Sequence, residues 1–89
     1  MTEPAIVRLE GALTMRTIVN TLGQSLPDGD LMVDMTAVGE ADSAALALLL
    51  DWMRRATAAG HTLSVRGMPA GLRSLSELYG LDEILPLAA

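Results

Sequence analysis

With 89 residues, 51% of them hydrophobic, the chain can build one modest core in a single domain, residues 1–89. One Trp, one Tyr and no Phe leave that core to Leu, Val, Ile, Ala and Met, and the lack of Cys excludes disulfides and thiolate chemistry. The net charge of −5, with all six basic residues scattered Arg, argues against nucleic acid or an anionic membrane surface as first partner.

Residues 5–10 alternate, with Ala5, Val7 and Leu9 on one side and Ile6, Arg8 and Glu10 on the other, which is strand spacing. Gly11 and its neighbours read as a turn. Thr14 is a candidate cap for a helix whose inner face is Met15, Ile18, Val19 and Leu22. Residues 27–30, Pro-Asp-Gly-Asp, form the next turn. Leu31, Val33 and Met35 alternate in a second strand that runs to about Val38. Residues 43–59 form the longest helix, closed by Gly60. Residues 62–67 are a third strand, with Leu63 and Val65 on one face. The last helix, about 70–79, turns Leu72, Leu75 and Tyr79 inward and ends at Gly80. Leu81, Ile84 and Leu85 are expected to fold back over the core.

Strand and helix thus alternate three times, which argues for an α/β layer. Residues 31–67 make a strand–helix–strand crossover, so its two strands are expected to be parallel. Asp42 and Ser43 fall between the carboxyl end of that strand and the helix N-terminus. This is the usual binding edge of an open α/β sheet, and the helix end carries unpaired N–H groups and positive dipole charge. If Asp42 is the cap, the Ser43 hydroxyl is left free. The competing reading is that both residues are only helix-start residues, which are common there for structural reasons.

Placed at 100° per residue, Leu46, Leu49, Leu50 and Met53 form a stripe expected to face the sheet. Ser43, Ala44, Ala47, Leu48, Asp51 and Arg55 then share the far face, with Trp52 on its border. An apolar far side beside a helix N-terminus reads as a partner-binding surface: Leu48 the anchor, Asp51 and Arg55 the polar rim.

The stretch VDMTAVGEADSAALALLL (residues 33–50) resembles the signature of STAS domains, in which a hydrophobic strand and short loop lead into Asp-Ser/Thr-x-Gly-Leu at a helix start. Asp42, Ser43 and Leu46 match, and Ala45 stands where Gly is usual. VRLEGALT (residues 7–14) is similar to the family's opening strand and turn. The resemblance implies a small mixed β-sheet with helices packed on it. DSAALALLL (residues 42–50) and the tail LRSLSELYGLDEILP (residues 72–86) are closer to the STAS subunits of Mla phospholipid-transport ATPases, the MlaB type. That resemblance implies a non-catalytic, cytoplasmic accessory subunit, peripheral to the inner membrane through its complex. It would bind and stabilise an MlaF-like ABC ATPase that maintains outer-membrane lipid asymmetry. The alternative is an anti-sigma factor antagonist, in which a kinase anti-sigma factor phosphorylates the residue at Ser43; Ala44 and Ala45 depart from that pattern.

No catalytic residue, cofactor or metal ligand is expected. His61 is the only histidine and there is no Cys. A Ser43–His61–Asp triad fails on distance, because the intervening helix separates the two by roughly 25 Å. No Walker-type Gly-rich loop is present, so any ATPase activity belongs to a partner. No signal-peptide pattern opens the chain. The longest apolar run, residues 44–50, is far short of the ~20 residues that span a bilayer. Direct membrane insertion is therefore not expected.

Overall fold

The computed structural model describes residues 3–81, 84 and 87–88. Strands β1 (Ala5–Leu13), β2 (Leu31–Ala41), β3 (Leu63–Arg66) and β4 (Leu87–Ala88) lie side by side in chain order. Helices α1 (Val19–Leu22), α2 (Ser43–Ala58) and α3 (Ala70–Leu78) connect them. All described strand pairs are parallel, so the mixed sheet that the resemblance implied is not found among the described residues.

Right-handed connections between successive parallel neighbours carry every helix to the same side of the sheet. Burial agrees. Val7, Leu9, Leu31, Val33, Met35, Leu63 and Val65 are buried, while Ile6, Arg8 and Glu10 on the reverse side of β1 are exposed. The core lies between the inner sheet face and α2, and Val7, Val33 and Val65 align across three strands at its centre.

Strand β1 does not stop at Glu10; it continues through Gly11, which takes φ 71°, to Leu13. Its pairing with β2 slips twice. Between Arg8↔Asp34 and Glu10↔Ala37, and again between Gly11↔Val38 and Leu13↔Ala41, β2 advances three residues while β1 advances two. Each slip is a bulge that gives β2 one extra residue. The inward series on β2 therefore runs Leu31, Val33, Met35 and then jumps to Val38, which simple alternation does not foresee.

On the reverse side, Arg8, Asp34 and Arg66 align across three strands. The buried Asp34 carboxylate accepts from the Thr36 N–H at 2.9 Å, the Thr36 hydroxyl at 2.7 Å and Arg66 Nη2 at 3.2 Å. These bonds, the Thr36 N–H first, hold its carboxyl down at about 2, against an ordinary 3.8. A depressed folded-state value means that the stabilisation is complete above the unfolded value and is lost as pH falls through the folded one. Melting temperature should therefore drop between about pH 4 and pH 2 through Asp34. Asp34→Asn should flatten that part of the profile in a melting series, and an unchanged acid limb would assign it to other carboxylates.

Candidate functional site

The β2–α2 junction is built around one carboxylate. Asp42 is in extended geometry, and its Oδ1 accepts from the Ala44 N–H at 2.9 Å, which caps α2. Its Oδ2 accepts from the Met15 N–H at 3.2 Å, and its own N–H donates to the Leu13 carbonyl at 3.2 Å. One side chain thus starts the helix and fastens the β1–α1 turn to it. Ser43 is the first helical residue and is exposed. Ala45, where the resembled motif has Gly, is helical and fully buried, and among the described residues no non-glycine residue has positive φ. The departure from Gly therefore strains no backbone.

The rotation of α2 differs from expectation. Its buried residues are Ala45, Leu46, Leu48, Leu49, Trp52 and Ala56, and Leu48 and Trp52 are 0% exposed. Leu50 and Met53, expected at the sheet, are only half-buried. Relative to the expected stripe the helix is turned by about 80° at 3.6 residues per turn. The reason is that α2 packs against α3 as well as β2 and β3, so its buried arc is wider than a stripe facing the sheet alone. Leu48 cannot anchor a partner and Trp52 cannot border one. Of the expected surface, Ser43 and Ala47 are exposed and Ala44 is half-buried. Asp51 and Arg55 are half-buried and already engaged. Asp51 pairs with Arg54 at 2.6 Å and Arg55 at 3.6 Å, and Arg55 donates to the Gln24 carbonyl at 3.0 Å. The Arg54 hydrogen bond, foremost, lowers the Asp51 carboxyl.

The neighbouring segment supplies what the sequence reading missed. Thr14 does not cap a helix. It forms a turn in which Thr17 and Ile18 donate to its carbonyl at 3.0 and 2.8 Å, and α1 is four residues long. Of the four residues expected inward, only Ile18 is buried; Met15 is 73% exposed, Val19 67% and Leu22 42%. A shallow cavity of about 450 Å³ opens between this turn and the α2 start, lined by Thr14, Met15, Arg16, Thr17, Glu40 and Asp42. The Met15 N–H bond to Asp42 ties the apolar α1 segment to the helix end that bears Ser43. A four-residue helix cannot bury a whole amphipathic face, and that shortness is the signal the 3.6-residue pattern concealed. Tyr79 is also corrected: it is 57% exposed, while Leu72 and Ser76 supply the buried face of α3. Leu81 packs against the core as expected, Ile84 is half exposed, and Leu85 lies outside the described residues.

His61 sits at the other end of α2, with Nδ1 3.9 Å from Asp30, and it is not brought to Ser43. Among the described residues no helix is long and apolar enough to cross a membrane. The α/β arrangement thus presents a small hydroxyl residue at a capped helix start beside an apolar turn, and the protein-interaction class it belongs to is given by its family. A family model described as "Mlab, STAS domain" matches residues 2–86, and the chain belongs to that STAS family, whose members are generally non-enzymatic. No curated protein matches the chain.

Proposed function

We propose that the chain is a non-catalytic accessory subunit that docks on the ATPase of an ABC phospholipid transporter, in the cytoplasm at the inner membrane. The observation that carries this reading is the Asp42 carboxylate, which caps α2 beside the exposed Ser43 and ties the exposed Met15 to the same helix start, in a chain of the Mlab STAS family. Small residues at the helix start let a partner helix come close. The exposed Met15 and Val19 supply the apolar anchors first assigned to Leu48, and methionine adapts readily to a partner's shape. The domain contributes binding and support of the ATPase; nucleotide chemistry stays with the partner.

Ala47→Arg and Val19→Glu should each weaken co-purification with the ABC ATPase at least ~10-fold, about 1.4 kcal/mol, without changing the circular dichroism spectrum. Full binding by both variants would remove this surface from the interface. The exposed Ser43 hydroxyl at a helix N-terminus also favours a second reading, an anti-sigma factor antagonist phosphorylated there. A native pull-down separates the two: an ABC ATPase identified in the eluate supports the first, a histidine-kinase-like anti-sigma factor the second.

A further inference from the structure

Strand β1 ends the sheet, with β2 on one side and no other strand beside it among the described residues. Its open side is a row of backbone donors and acceptors, a template for another strand. Long edges are commonly guarded by charged side chains, Lys above all, by Pro or by a bulge. Here Pro4 precedes the strand, the chain has no Lys, both bulges lie in β2, and the two charges on the strand, Arg8 and Glu10, are of opposite sign.

We propose that this edge pairs antiparallel with the β1 edge of a second copy of the chain, about a twofold axis at Leu9. The reason is charge register. Arg8 and Glu10 are both exposed and project from the same side of β1. With Leu9 opposite Leu9, each Arg8 stands opposite Glu10 of the other copy, and Val7 stands opposite Gly11. This register also overlaps the whole strand, since Leu9 is the midpoint of Ala5–Leu13. Centring on Arg8 or on Glu10 sets like charges against each other, which destabilises a cross-strand pair. Half-step registers would place core-facing side chains opposite solvent-facing ones. A symmetric interface demands self-complementarity, and the Leu9 register supplies it twice.

Gly11, at φ 71°, bends the far end of the strand, so the regular ladder centres on Arg8, Leu9 and Glu10. So short a ladder buries less than the ~1,200 Å² of a stable interface, and the dimer should be concentration dependent. Antiparallel pairing points the two Ser43 ends away from each other, so both docking surfaces stay open.

Sedimentation equilibrium of the full chain should show an apparent mass rising above 9.4 kDa with concentration. Arg8→Glu or Glu10→Arg alone should weaken association at least ~10-fold, and the two together should restore it. Arg8 is the cross-strand neighbour of Asp34, so its reversal is checked by thermal melting; if it destabilises the fold, Arg8→Gln replaces it and should still weaken the dimer. A chain monomeric up to about 1 mM, a dimer indifferent to either reversal, or a double variant that fails to recover would each overturn the pairing.

Discussion

Leu48→Ala should destabilise the isolated protein by about 2–5 kcal/mol, as much as Leu49→Ala, because both side chains are 0% exposed. In a domain of this size that lowers the melting temperature by about 10 °C or more. Leu48→Glu should prevent folding, since a carboxylate there would be buried without a partner. Trp52→Phe is the informative companion. The Trp52 Nε1–H is buried and has no acceptor among the described residues, so its removal offsets part of the lost volume. It should cost clearly less than Leu48→Ala. Chemical denaturation of Leu48→Ala, Leu49→Ala and Trp52→Phe decides the matter: a Leu48→Ala loss below about 1 kcal/mol would return α2 to the rotation that its leucine stripe suggests.

Gly67→Ala should cost about 2–4 kcal/mol, from left-handed strain and overpacking together. Gly67 leaves β3 with φ 72°, and a Cβ there would run into the Thr36 side chain and lie 3.0 Å from its backbone N. Thr36 sits at the first β2 bulge and cannot retreat freely, because its N–H and hydroxyl hold Asp34. Gly80 is the control. It has the same φ of 72° but open space around its missing Cβ, so Gly80→Ala should show the strain alone, about 1–2 kcal/mol. Equal losses at the two positions would mean that the contact with Thr36 yields without cost.

Much of this protein is set by local pattern. The alternation of Val7 and Leu9, of Leu31, Val33 and Met35, and of Leu63 and Val65 identifies three strands, because side chains in a strand alternate between faces whatever surrounds them. The crossover from β2 through α2 to β3 follows from chain order. Asp42 and Ser43 as the residues that start α2 also follow, because capping joins neighbours in the chain, while the choice of Asp42 as the cap comes from its bond to the Ala44 N–H. The family resemblance rests on these same residues.

What the tertiary structure decided depends on contacts between distant segments. In a helix apolar on nearly every side, spacing cannot choose an inner face, and the placement of α3 beside α2 moved Leu48 and Trp52 inside. The β2 bulges shift the inward series through pairing with β1, which no residue of β2 encodes alone. Met15, Val19 and Leu22 have helical spacing, yet their segment coils into a turn and one short helix fastened to Asp42, 27 positions away from Met15. Their apolar side chains are left exposed, and of this segment only Ile18 enters the core.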